Sequence, residues 1–520
     1  MRTALMALAV LAATATAQAA SAPGPKVHTD AGWVQGVSDK TLDEFKGIPF
    51  AKPPVGDLRW RAPQKPQAWK GVRQAADYGA SCMQPEPRST APLSEDCLYL
   101  NVWKPKTATP AHKLPVMVWI YGGGFRAGTA SEPTYDGANF ARQGVVMVTI
   151  NYRLGKFGFM AHPDLTAESE HHSSGNYGLL DQIAALQWVQ RNISAFGGDP
   201  KAVTIFGQSA GGHAVNFLVA SPVTKGLFAR AIGESAGGFA PASAKTYFGH
   251  TLRSLQQSEQ SGLRLQADLK ASSIADLRKL PAKAIQEAAT LDDDDMGWVT
   301  QDGYILPDSV DHIFAAGRQN DVPVMMGFNS NEGASFAHER TLRAFHAVTA
   351  KEMGDRAAEY AKLYPATDDV SATRSSEMAS RDNHFAWQTW TWARLQTATG
   401  KSPIYYYNFA LRPPIPANDP AVEREPVDWG AHHSAEIPYV FGNFVPDTWR
   451  WRDQDRGLSR IMSAYWVNFA KTGNPNGKGL PSWKSYDPAQ PSRMIFDEAP
   501  SQRPIADLDH LAFWDSLAKQ

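Results

Sequence analysis

Ser209 stands in Gly207-Gln208-Ser209-Ala210-Gly211, a serine flanked by small residues at a spacing that can do chemistry. That spacing suits a sharp turn from strand to helix. Small neighbours let the two elements approach closely, and the hydroxyl projects above the sheet. A serine held there becomes a nucleophile once a base takes its proton. The bare pattern recurs by chance, so its surroundings decide. Ala202 to Phe206 (AVTIF) is an apolar strand directly before it, and His213 to Val219 is helix-compatible directly after it. Gly233-Glu234-Ser235-Ala236-Gly237 repeats the pattern, but Gly237, Gly238 and Pro241 follow, which is poor material for a helix. Ser209 is therefore the candidate nucleophile. Ser235 and Gln208 are expected to stand beside the reacting group in support of it.

Acyl transfer also needs donors for the charge that develops on the carbonyl oxygen. Gly122-Gly123-Gly124-Phe125 follows the apolar run Val116 to Tyr121, and glycines let backbone N–H groups come close to such an oxygen. The residue after the nucleophile, Ala210, supplies a further N–H.

These residues need a rigid frame. Val116 to Tyr121, Val145 to Tyr152, Ala202 to Phe206, Leu227 to Ile232, Val322 to Gly327 and Ile404 to Phe409 read as strands. Asp181 to Ile193 has helical spacing, and Ser459 to Lys471 reads as an amphipathic helix. Strands alternating with helices predict an α/β fold with a mainly parallel sheet. Residues 240–320 and 335–400 read as helical excursions from one catalytic domain spanning 20–520. The aromatic residues crowded at 385–392 read as core rather than pocket.

Residues 1–19 carry Arg2, a short apolar run and the small-residue site Ala17-Gln18-Ala19, the pattern of a signal peptide. No later run is long enough to span a bilayer, so no stable membrane anchor is expected. Export exposes the two cysteines, Cys82 and Cys97, to an oxidising compartment, where they are expected to pair. The balance of 51 Lys+Arg against 52 Asp+Glu offers no basic surface for nucleic acid. Asp292 to Asp295 reads as a solvated loop, with calcium as the less favoured alternative. His171-His172 lacks partners at ligand spacing, so no metal site is expected. The sequon at Asn192 falls at a helix end and is read as chance.

Longer blocks extend the picture. Glu95-Asp96-Cys97-Leu98-Tyr99-Leu100-Asn101-Val102-Trp103, and the stretch from Phe196 through Gly211, are long and specific. So are Asn151 to Gly155, Gly175 to Leu179, Gly327 to Gly333 and Ala435 to Gly442. In these blocks the chain resembles the type-B carboxylesterase/lipase family, which includes para-nitrobenzyl esterases, mammalian carboxylesterases and cholinesterases. The resemblance implies an α/β-hydrolase fold with helical insertions over the active site. It places the acid at Glu332 and the base at His433, and it makes Gly123, Gly124 and Ala210 the oxyanion donors. It also makes Cys82–Cys97 the counterpart of the family's first disulfide. The order Ser209, Glu332, His433 is the order expected for such a hydrolase. Taken alone, Glu332 is one acid among many, and His432 rivals His433.

Cholinesterases carry a tryptophan inside their first disulfide loop and a glutamate before the nucleophile. Here the loop has no tryptophan and the residue is Gln208, which argues against choline esters. The expected function is a secreted serine carboxylesterase acting on a small-molecule ester through an acyl-enzyme, without a cofactor. Lactonase, thioesterase and amidase chemistry would use the same residues. The competing reading is a catalytically weak or inactive binding protein on the same fold, against which the presence of Ser209, Glu332 and His433 argues.

Overall fold

The computed structural model describes residues 22–240, 252–288, 299–415, 429–445 and 449–519. Residues 1–19 and the run Asp292 to Asp295 lie outside the described residues.

One twisted sheet organises the chain. Its strands are β1 (Ala22–Thr29), β2 (Gly32–Ser38), β3 (Leu42–Pro49), β4 (Tyr99–Pro105), β5 (Leu114–Ile120) and β6 (Val146–Ile150). They continue as β7 (Gly198–Gln208), β8 (Arg230–Glu234), β9 (Val324–Asn329), β10 (Ile404–Phe409), β11 (Ser492–Phe496) and β12 (Ser501–Pro504). Side by side these twelve run β1-β2-β3-β4-β6-β5-β7-β8-β9-β10-β11-β12, and a thirteenth strand, Val72–Gln74, pairs with β2 off this path. From β6 to β11 every neighbouring pair is parallel. Every residue of β6, β9 and β10 is buried. Continuous apolar runs of this kind belong to strands covered on both faces.

The helices that cover the sheet are set by the same chain. They include α1 (Tyr177–Asn192), α2 (Ala210–Ala220), α3 (Leu255–Asp268), α4 (Trp387–Thr399), α5 (Asp453–Thr472) and α6 (Leu508–Ala518). Helix α2 packs on β5, β7 and β8, and α4 packs on β9 and β10. Around α3 a second apolar cluster forms from Trp60, Phe157, Leu165, Leu265, Leu277 and Ile285. Arg59 ties it down, pairing with Glu95 at 2.6 Å and donating to the carbonyl of Leu280 at 2.8 Å. Cys82 and Cys97 form a disulfide, with Cα atoms 4.9 Å apart.

Between Leu342 and Thr399 the chain runs through successive helices, and among them lies a wide turn. Asp382–Ala386 winds as one π-turn before α4 begins. Such a turn inserts one residue and rotates the helix beyond it. The crowded aromatic residues divide there. Trp387 and Trp392 are core, whereas Phe385 reaches the cavity around Ser209. The antiparallel strands β1 to β3 had no counterpart in the sequence reading. They lie at the sheet's edge, rich in Gly, Pro and charge, and β1 alternates too irregularly to give a period.

Asn192 uses its side chain internally. Its Oδ1 accepts from Asp30 N at 2.7 Å, and its Nδ2 donates to the Trp188 carbonyl at 3.1 Å. Its amide is thus buried and engaged within the protein.

Candidate active site

Strand β7 ends at Gln208 and α2 begins at Ala210, so Ser209 is the whole turn between them. Its backbone is left-handed, with φ 55° and ψ −127°. A non-glycine residue holds that conformation only where its surroundings impose it. Here Ser209 N donates to the Glu234 carbonyl at 2.9 Å, and the Ser209 carbonyl accepts from His213 N at 2.8 Å. The flanking glycines are sterically required. A Cβ on Gly211 would lie 1.9 Å from the Ile120 carbonyl oxygen, and one on Gly207 2.5 Å from it.

The glycine loop after β5 folds under the serine. Gly123 has φ 108°, and a Cβ there would meet the Ala127 carbonyl at 2.2 Å. Its own carbonyl accepts from Arg126 N and Ala127 N. Among the described residues, the N–H groups of Gly123, Gly124 and Ala210 have no protein acceptor. All three residues line one cavity of about 500 Å³ together with Ser209 and His433.

Glu332 follows β9 and is fully buried. Both of its oxygens are engaged. Oε1 accepts from Asn329 N at 2.8 Å, and Oε2 lies 2.5 Å from His433 Nδ1. With the proton held at Nδ1 against an ionised carboxylate, Nε2 is left as the basic nitrogen. The ring sits between Phe336, edge-on at 5.0 Å, and Phe385 at 4.9 Å. Nε2 lies 3.4 Å from Gln208 Nε2. Ser209 Oγ makes no hydrogen bond to the ring among the described residues.

His432 points elsewhere, toward Trp429 and Trp449 at the outer wall of the cavity. Only His433 meets Glu332, so geometry separates two neighbours that sequence could not. Ser235 is fully buried behind the site with φ 51°, and no helix follows it through Ala240. Its N donates to the Gly327 carbonyl at 2.7 Å. The duplicate motif therefore makes the same backbone bend on the next strand without reaching the cavity. His171, away from the site, stacks on Tyr304 at 3.6 Å.

Several site residues escaped the sequence reading. Asn329 ties Glu332 to the loop that carries the histidines. Its N holds Glu332, while its Nδ2 donates to the His432 carbonyl at 2.7 Å and to Glu436 Oε2. Its only signal was its place in the block before Glu332. Phe336 had none, and Phe385 was read with its aromatic neighbours as core, because the two are brought together only by the π-turn and the loop after β9. Ser434 Oγ donates to Gln208 Oε1 at 3.1 Å.

Behind the pair lie two more buried carboxyls. Burial pushes Glu436 up, and the nearby Glu332 charge adds to it. Burial pushes Glu234 well above the usual carboxylate range, with Glu436 adding to it, and the Trp466 indole offsets part by donating to Oε1 at 2.7 Å. On the cavity wall, burial raises Glu132 to about 7, which Arg88 and the Tyr135 hydroxyl partly oppose.

A parallel sheet of this order, with a serine turn between β7 and the helix behind it, is the α/β-hydrolase fold. The chain belongs to the carboxylesterase family, whose model matches residues 23–514. It is 37% identical over 507 residues to a fumonisin B1 esterase of Sphingopyxis macrogoltabida, covering 92% of this chain and 88% of that protein. It is 35% identical over 503 residues to a para-nitrobenzyl esterase of Bacillus subtilis (strain 168), covering 91% and 94%. A solved PNB esterase superposes with a TM-score of 0.78 at 34% identity, covering 94% of this chain and 99% of that one. Membership and relatives together make the protein a carboxylic ester hydrolase.

Proposed function

We propose that the protein is an exported serine carboxylesterase in which Ser209 is the nucleophile, His433 the base and Glu332 the acid. The observation that carries this reading is the Glu332–His433 pair at 2.5 Å on the same cavity as the Ser209 turn. Ser209 Oγ attacks the ester carbonyl carbon as His433 Nε2 takes its proton. Glu332 keeps the ring in the required tautomer and stabilises its cation. The oxyanion is held by the N–H groups of Gly123, Gly124 and Ala210. Collapse breaks the bond to the alcohol, which leaves with the proton from Nε2. Water then repeats the sequence on the acyl-serine, and the acid departs. Hydrogen bonds of this kind commonly tighten when substrate is bound, so Ser209 Oγ and Nε2 are expected to close together in the Michaelis complex.

The signal-like pattern of residues 1–19 and the Cys82–Cys97 disulfide support export. No helix among the described residues is long and apolar enough to cross a membrane. Small esters are the substrate class that the family membership supports. The test is hydrolysis of p-nitrophenyl acetate, butyrate and octanoate beside Ser209→Ala. Turnover lost by a factor of about 10⁴ or more in the variant is expected. Equal turnover by the two proteins would remove Ser209 from the mechanism.

A further inference from the structure

Gln208 is 2% exposed, and its amide is engaged at both ends. Oε1 accepts from the Ser434 hydroxyl at 3.1 Å. Nε2 lies 3.4 Å from Nε2 of His433. Since His433 Nδ1 is committed to Glu332, the neutral ring offers one lone pair at Nε2, to which the amide donates in the free protein and which the Ser209 hydroxyl shares when substrate is bound. This arrangement suits one charge state of the ring. Once the ring takes the serine proton, Nε2 becomes a donor and meets the amide donor to donor. Turning the amide over resolves the conflict at no cost in volume. Oε1 then accepts from Nε2–H, and the NH₂ group donates to Ser434 Oγ. Ser434 serves either arrangement, because a hydroxyl both donates and accepts. It also sits at φ 71°, directly after His433, in a conformation that a serine adopts only under constraint.

We propose that Gln208 is a positioning residue that turns over with the charge of His433, donating to the neutral ring and accepting from the imidazolium, with Ser434 as its swivel partner. The inference rests on the roles proposed for Ser209 and His433. Its consequence is that the imidazolium N–H, shared between Oε1 and the leaving oxygen, meets no opposing donor until the proton passes to the alcohol. A fixed donor would oppose that cation.

Other groups face the ring and titrate or carry charge. Glu332 lies at Nδ1, Glu436 and His432 share its loop, and His384 lies beyond Phe336. Glu132, Arg88 and His213 stand on the cavity wall. A rate profile alone would mix these titrations, so the ring itself must be observed.

The experiment is an NMR titration of His433 in ¹⁵N-histidine-labelled protein, paired with the pH profile of kcat/KM for p-nitrophenyl butyrate. Wild type is compared with Gln208→Met and Ser434→Ala. Methionine matches the length of glutamine but offers neither donor nor acceptor of comparable strength. If the amide turns over, Gln208→Met removes both a donor to the neutral ring and an acceptor for the cation, and the charge-assisted bond to the cation is the stronger of the two by about twofold. The His433 pKa then falls by about half a pH unit or more, and kcat falls about three- to tenfold. A rise would mean that Gln208 is a fixed donor to the neutral ring, and no change would mean that it does not respond to the charge. Either result overturns the proposal. Ser434→Ala leaves Gln208 in place and is expected to move the pKa in the same direction. It decides the matter by the same sign if Gln208→Met does not fold. A wild type that hydrolyses no ester, or a Ser209→Ala variant as active as wild type, would defeat the reading of the site itself. An active, Ser209-dependent enzyme with an unmoved His433 pKa in both variants defeats this inference alone.

Discussion

Glu332 is a fully buried carboxylate whose two oxygens are both matched, one by a backbone N–H and one by the imidazole. A charge in that position is tolerated because each oxygen has a donor. Glu332→Gln keeps the shape and presents an amide to Nδ1, which favours the wrong tautomer. By analogy with acid-to-amide changes in serine hydrolases, kcat should fall about 10³- to 10⁴-fold with KM little changed. Steady-state kinetics on p-nitrophenyl butyrate measures this, and a loss below tenfold would separate Glu332 from the proton path. At this scale legibility was uneven. Ser209 could be read because its constraint is local, with small residues on either side and strand before helix. Glu332 and His433 lie 123 and 224 positions beyond it, and nothing in their own neighbourhoods marks them. Resemblance to a family supplied them, and the bond between them is a tertiary fact. The choice between His432 and His433 was open in the sequence, because it depends on which way two adjacent side chains face.

Among the elements, the β7–α2 turn does most to fix the site. It is close-packed against β5, where Gly211 has no room for a side chain. Gly211→Ala would force the Ile120 backbone away from the turn and displace the Ser209 hydroxyl. A loss of about 1–3 kcal/mol in unfolding free energy is expected, together with most of the activity. Urea unfolding and ester hydrolysis measure the two. An unchanged midpoint with full activity would show that the turn tolerates a Cβ. The parallel strands β5 to β10 were readable from their apolar runs, and Ile404–Phe409 coincides with its expected limits, whereas the buried antiparallel strand β4 was not read. Edge strands β1 to β3, β11 and β12 were not. Partial exposure there dilutes the apolar pattern, and pairing rather than periodicity makes them strands. The π-turn at Asp382–Ala386 was equally silent in sequence. It nevertheless carries Phe385 to the ring of His433.

Across the whole molecule, the sheet gathers Glu332, Glu436 and Glu234 from three segments into one buried region. Burial raises Glu234 and Glu436, so the folded protein retains protons that the unfolded chain releases. Their stabilising contribution is complete below the ordinary carboxylate range. It is lost as pH rises from there through the raised folded values. Glu234→Gln keeps an oxygen for the Trp466 indole and removes the group that must hold a proton. The variant should be more stable than wild type at pH 8 by on the order of 1 kcal/mol, and the gap should close near about pH 4. Urea midpoints at the two pH values test this. A wild type that is the more stable at pH 8 would contradict it. The fold class and the serine turn were legible in the sequence. The cavity was not, because its wall combines the serine turn with the glycine loop, the loop after β9, the π-turn, the histidine loop and side chains such as Arg88 and Glu132, segments with no shared local signal.

The most direct measurement is to inactivate the purified protein with a p-nitrophenyl phosphonate ester and map the adduct by peptide mass spectrometry. The account predicts one phosphonyl group per chain, on Ser209, with p-nitrophenol released in equal amount and no label on Ser235. A label on Ser235 or elsewhere, or an active enzyme that takes no label, would contradict it.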